Sequence, residues 1–142
     1  VEAGVIKRLS EQGVVVIAAG GGGVPVIESA EGLLSGVDAV VDKDFATALL
    51  GSVVEAETII NLTGVDMVYK SFGSASQRGI REMSVREARQ YLEKGEFEPG
   101  SMGPKIEAAV EFLESGGREV FITTPELAEF ALSGMAGTRI YR

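Results

Sequence analysis

The 142-residue sequence contains no cysteine, no histidine and no tryptophan. Each absence removes a class of chemistry. Without cysteine there is no disulfide framework and no thiolate nucleophile, and without cysteine or histidine there is no zinc site of the usual ligands and no His-based triad. Aromatic residues make up only 6% of the chain, and there are four prolines. No apolar run approaches the ~18 residues that would span a bilayer, and no charged start leads into a short apolar core and a small-residue cleavage site. The chain therefore reads as cytoplasmic. Basic residues are in the minority, 13 against 21 acidic, for a net charge of −8. That balance argues against a nucleic-acid surface as the main function. What remains is chemistry that lysine, aspartate, glycine backbone and a bound metal can perform.

What is present is a 45% hydrophobic chain of single-domain size, residues 1–142, in which helical and strand periodicity alternate. Val1–Gln12 reads as the end of a helix stopped by Gly13. Val14–Ala19 is an unbroken apolar run, the pattern of a strand buried on both faces. Val37–Val41 is a second short apolar run, followed by Asp42-Lys43-Asp44 and a helical stretch, Phe45–Val54. Thr58–Leu62 predicts another buried strand, with a turn and a short extended segment in Thr63–Tyr69. Ser84 and Glu87 have capping-box spacing for a helix to Lys94, closed by Gly95. Pro104 suits the first turn of a helix over Lys105–Ser115 that stops at Gly116-Gly117. Glu119–Thr123 and Thr138–Tyr141 read as strands, with a helix after Thr124-Pro125 between them. Gly73–Gly79, small and polar, predicts a mobile loop. The pattern predicts an α/β domain, helices layered on a mainly parallel sheet. In such sheets, ligands sit beyond the carboxyl ends of the strands.

Three segments fall at such ends. Gly20–Gly23 allows positive φ and close approach of backbone to an anion, although it lacks the lysine of a P-loop and the spacing of a dinucleotide fingerprint. Four glycines cost chain entropy, which favours a binding loop over a plain turn. In Asp42-Lys43-Asp44 either aspartate can cap the following helix, while Lys43 opposes the helix dipole unless an anion is near. A solvated lysine between capping aspartates is the competing reading. Lys105 repeats the anomaly at another predicted helix start. Two lysines on one phosphoryl group, each worth ~4 kcal/mol at ~4 Å and an effective dielectric near 20, supply the charge stabilisation that phosphoryl transfer needs. On spacing alone, Thr63–Tyr69 reads as a turn before it reads as the rim of a base site.

Four stretches carry a resemblance. They are Val15-Val-Ile-Ala-Ala-Gly-Gly-Gly-Gly-Val-Pro-Val26, Val40-Val-Asp-Lys-Asp-Phe-Ala-Thr-Ala-Leu-Leu50, Leu62-Thr-Gly-Val-Asp-Met-Val-Tyr69 and Phe97-Glu-Pro-Gly-Ser-Met-Gly-Pro-Lys-Ile-Glu-Ala-Ala109. Together they resemble the carbamate kinases of the amino acid kinase family, and Met-Gly-Pro-Lys with its flanks is the most specific. The resemblance implies a three-layer α/β/α sandwich and reversible transfer between carbamoyl phosphate with ADP and carbamate with ATP. By position it implies that Lys43 and Lys105 contact the transferred phosphoryl group and that Asp44 orients them. It implies a nucleotide site built from Thr63, Gly64, Asp66, Met67, Val68 and Tyr69 with Ser101, Met102 and Gly103. Gly20, Gly21 and Gly22 would lie at the substrate end, and Mg2+ would be held mainly by the nucleotide phosphates. Gly64 and Met67 depart from the commonest family residues. The chain corresponds to the second half of a family member. A missing N-terminal half would carry another glycine loop, a further lysine, most carbamoyl-phosphate contacts and much of a homodimer interface. The expectation is a truncated piece with an exposed hydrophobic sheet edge, probed by small molecules but not by nucleic acid or membrane.

Overall fold

The computed structural model describes residues 2–142. The chain runs α1 (Ala3–Glu11), β1 (Val26–Glu28), β2 (Leu34–Gly36), α2 (Lys43–Val53), β3 (Thr58–Leu62), β4 (Val68–Lys70), β5 (Arg78–Ile80), β6 (Glu82–Ser84), α3 (Val85–Glu93), α4 (Met102–Glu114), β7 (Glu119–Thr123), a 3₁₀ turn Pro125–Leu127, α5 (Ala128–Leu132) and β8 (Thr138–Tyr141). Four strands form the main sheet in the order β3-β7-β8-β6, and β1-β2 and β4-β5 are separate two-stranded pairs.

β7 organises the core. All five of its residues are buried, and strand alternation divides them between two faces. Val120 and Ile122 join Ile106, Ala109, Phe112 and Leu113 of α4 in the main cluster. On the opposite face Thr123 lies near α5: a Cβ at Gly137 would come within 3.0 Å of the Thr123 Cβ and 3.3 Å of the Ala131 Cβ. Helices thus cover both faces, giving the expected three layers. The sheet is mixed. β3 and β7 are parallel, as are β6 and β8, but β8 runs antiparallel to β7. The reason lies in the connection: α5, at five residues, rises only ~8 Å, too little to carry the chain back along a strand of ~16 Å.

Local signals explain most element ends. The Ser84 side chain accepts from the Glu87 amide while Glu87 accepts from the Ser84 amide, the expected capping box. Gly95 closes α3 at φ 67°, a conformation that favours glycine. Asp42 caps α2, its Oδ1 accepting from the Asp44 amide at 2.7 Å and the Phe45 amide at 3.4 Å.

Two expectations are overturned. Val14–Ala19 is not a strand: it pairs with nothing among the described residues, and Val15 and Ile17 are 92% and 98% exposed. An apolar run becomes a buried strand only where neighbouring strands and helices cover it, and none here does. Val37–Val41 is likewise no strand. The pairing falls three residues earlier, in the exposed β1-β2 hairpin, and Val40 is exposed. Val1 lies outside the described residues, so the predicted helix is seen from Ala3.

Candidate active site

Three elements converge at the carboxyl end of β3. α2 and α4 both start there, and each carries a lysine in its first turn where the helix dipole disfavours one. Asp44 resolves the conflict. It is the second residue of α2, 8% exposed, and its carboxylate receives Lys105 Nζ at 2.9 Å on Oδ1 and 3.0 Å on Oδ2. Asn61 of β3 donates Nδ2 to Oδ1 at 2.9 Å, and Lys43 Nζ lies 3.4 Å from Oδ2. Burial pushes the Asp44 carboxyl up, but the hydrogen bonds from Lys105 and Asn61 and the charges of Lys105 and Lys43 outweigh it. The net effect holds Asp44 below the usual carboxylate range.

The two lysines differ. Lys105's side chain is only 12% exposed and is held on both carboxylate oxygens, whereas Lys43's is 61% exposed and loosely attached. Two ammonium groups share one carboxylate beside the N-termini of two helices. Such an arrangement attracts and orients an anion.

Lys105 also forms one end of a cleft of about 260 Å³, lined by Thr63, Gly64, Val65, Met67, Tyr69, Phe72, Glu96, Phe97, Glu98, Ser101 and Met102. Thr63, Gly64, Met67, Tyr69, Ser101 and Met102 of the expected nucleotide residues therefore face one space. Asp66, Val68 and Gly103 do not line it. Asp66 instead accepts a hydrogen bond from the Tyr69 hydroxyl at 2.7 Å, and that bond, with some burial, raises the Tyr69 phenol above its ordinary value. Val68 is fully buried in the core, its amide donating to Thr138 Oγ1 at 2.8 Å. Gly103 is buried against the Glu98 carbonyl.

The glycine loop lies beside α2. A Cβ at Gly22 (φ 132°) would sit 2.2 Å from the Val41 carbonyl oxygen, so only glycine permits this approach. The amides of Gly20 and Gly22 donate to the carbonyls of Ala18 and Ala19, so these two serve the turn itself rather than an anion. Gly21 has no neighbour within 4 Å of its would-be Cβ.

Sequence reasoning missed Asn61, Phe72, Glu96, Phe97 and Glu98. Phe72 immediately precedes the loop expected to be mobile, Gly73–Gly79, and packs against Tyr69 with ring centroids 6.0 Å apart. Asn61 had one available signal, a single amide side chain inside an apolar strand, where asparagine is disfavoured. Among the described residues no helix is long and apolar enough to cross a membrane, and no cluster of three or more acidic side chains forms a metal cage.

The amino acid kinase family model matches residues 1–124. The chain belongs to the amino acid kinase family. Within it, the chain is 47% identical over 142 residues to the carbamate kinase-like protein YahI of Escherichia coli, covering all of this chain and 45% of that protein. It is 49% identical over 140 residues to the carbamate kinase of Halobacterium salinarum, covering 99% and 45% respectively. The structure of Giardia lamblia carbamate kinase bound to AMP-PNP superimposes with a TM-score of 0.96 at 39% identity, over 100% of this chain and 50% of that one. This amino acid kinase chain thus spans about half the length of the relatives it matches. Its α/β sandwich is the fold of the solved carbamate kinases.

Proposed function

We propose that residues 1–142 are a single domain that supplies the nucleotide site and part of the phosphoryl clamp of a carbamate kinase. The reaction would convert carbamoyl phosphate and ADP to carbamate and ATP, reversibly. The observation that carries the reading is the meeting of Lys43 and Lys105, far apart in sequence, on Asp44, with Lys105 also lining the cleft. Likeness to an AMP-PNP-bound carbamate kinase supports ATP or ADP as the occupant.

In this reading the base and ribose occupy the cleft between Thr63–Tyr69 and Ser101–Met102, and the terminal phosphates extend toward Lys105. Lys105, immobilised by Asp44, offers a fixed charge to the migrating phosphoryl group. Lys43, exposed and in only a long contact with Asp44, would follow that group as charge shifts between donor and acceptor oxygens. A carbamate oxygen is already anionic at neutral pH, so no strong general base is required, and transfer rests on positioning and electrostatics. Both Asp44 oxygens are engaged by nitrogen donors, so Asp44 would not serve as a Mg2+ ligand. When bound, Mg2+ would offset phosphate charge while held mainly by the nucleotide phosphate oxygens and water. Gly20–Gly22 would border the substrate. The remaining substrate contacts and a homodimer interface would belong to the length of the relatives that this chain does not span, and the enzyme would work in the cytoplasm.

The test is ATP formation from carbamoyl phosphate and ADP by the intact protein, set beside calorimetry of the 142-residue chain with ADP. Turnover by the intact protein, with nucleotide binding but no turnover by the chain alone, is expected. Absence of turnover in the intact protein would end the kinase reading, and absence of nucleotide heat from the folded chain would end the assignment of the cleft.

A further inference from the structure

We infer that Asn61 is a positioning residue, whose neutral amide fixes the Asp44 carboxylate so that Lys105 is held and Lys43 is left free. The inference rests on the kinase reading above and adds a role for a residue outside its lysine and aspartate set. β3 alternation puts Asn61 on the same face as Ile59, turned toward α2 and α4, where the two share a wall with Asp44, Ala48, Lys105 and Val120. A polar side chain on such a face needs a partner, and Asn61 finds it in Asp44 Oδ1 at 2.9 Å.

The consequence follows from counting acceptor places. A carboxylate offers about four lone-pair positions. Lys105 takes one on each oxygen, and Asn61 takes the second on Oδ1. Lys43 is left with a 3.4 Å contact on Oδ2, at the long end for a charge-assisted bond. With Oδ1 filled by an uncharged donor, no second ammonium can settle there. An apolar residue at position 61 would open that place to Lys43 and let the carboxylate rotate. A carboxylate there would compete for Lys105. The charged groups facing Asp44 are Lys105 from α4 and Lys43 from its own helix, with Asp42 bonded to its backbone; β3 contributes only the amide.

Asn61→Leu and the isosteric Asn61→Asp test this in the intact protein by steady-state kinetics across pH, with the Asp44 carboxyl followed by carbon-13 NMR titration. Asn61→Leu is expected to lower kcat about tenfold with the nucleotide KM changed less than about threefold. The acid limb of its pH profile and the Asp44 midpoint should both move up by about one unit, and further in Asn61→Asp. An Asp44 midpoint unchanged in both variants overturns the inference, as does a fall in kcat matched by an equal rise in KM. If the wild-type protein transfers no phosphoryl group, the kinase reading fails separately, and the NMR titration still decides the role of Asn61.

Discussion

Replacing Asp44 by asparagine removes the charge on which both lysines converge while keeping the shape of the side chain. At 2.9 Å and an effective dielectric near 20, the Lys105 attraction is about 6 kcal/mol before desolvation. Desolvating two nearly buried groups offsets part of this, and removing one partner of a buried pair usually costs ~3–5 kcal/mol. Lys105 keeps some contact with solvent, so the expected loss is the lower figure, about 3 kcal/mol at pH 7. Lys43, mostly exposed, adds at most ~1 kcal/mol. In urea this corresponds to a midpoint lowered by ~1.5–2 M for a slope near 2 kcal/mol/M. The pH dependence gives a second check. Asp44's carboxyl titrates lower in the folded state than an ordinary aspartate, so the unfolded chain takes up a proton first as pH falls. The stabilisation is complete well above pH 4 and is lost as pH drops through the folded value. The gap between wild type and Asp44→Asn should therefore narrow from about pH 5 to pH 3. A loss below about 1 kcal/mol at pH 7, or a gap that does not change with pH, would refute the reasoning.

Other substitutions separate binding, catalysis and stability. Lys105→Ala should lower turnover about 10³-fold, with a much smaller loss of nucleotide affinity by calorimetry; equal losses in both would mean that Lys105 serves ground-state binding only. Gly22→Ala places a Cβ 2.2 Å from the Val41 carbonyl oxygen at φ 132°, so a stability loss of ~2 kcal/mol and reduced turnover are expected; an unchanged melting curve would show that the loop is not pinned there. Ser84→Ala removes half of the capping box and should cost ~1 kcal/mol in denaturant unfolding with no effect on nucleotide binding. Phe72→Ala strips an aromatic wall from the cleft and should weaken ADP binding severalfold, with folding stability nearly unchanged because the side chain is 59% exposed.

The parts of the fold legible in the sequence are those whose signal is local and whose burial is complete within the chain. β7 and β8 fall where expected because every residue of β7 is buried and a glycine precedes each strand, Gly117 before β7 and Gly137 before β8. α3 carries its own start and stop in Ser84, Glu87 and Gly95. Val14–Ala19 misled because apolar character says that a segment seeks burial, not that partners are present. The β1-β2 hairpin gave no signal since all six of its residues are exposed, leaving no alternation to detect. At the site, the lysines were visible as cations placed against helix dipoles, and the structure brings them to one carboxylate. Asn61 was visible only as an amide out of place in an apolar strand, because its role depends on a contact 17 residues away. Asp66 and Val68 stood in a matching motif, yet the turn directs one to Tyr69 and the other into the core.

The most direct measurement is a crystal structure of the intact protein with ADP, Mg2+ and a planar mimic of the transferred phosphoryl group. ADP is expected in the cleft beside Thr63 and Met102, with the Lys43 and Lys105 ammonium nitrogens both within about 3 Å of oxygens or fluorines of the mimic. A nucleotide bound elsewhere, or a mimic touching neither ammonium while Lys105 stays on Asp44, would contradict this expectation.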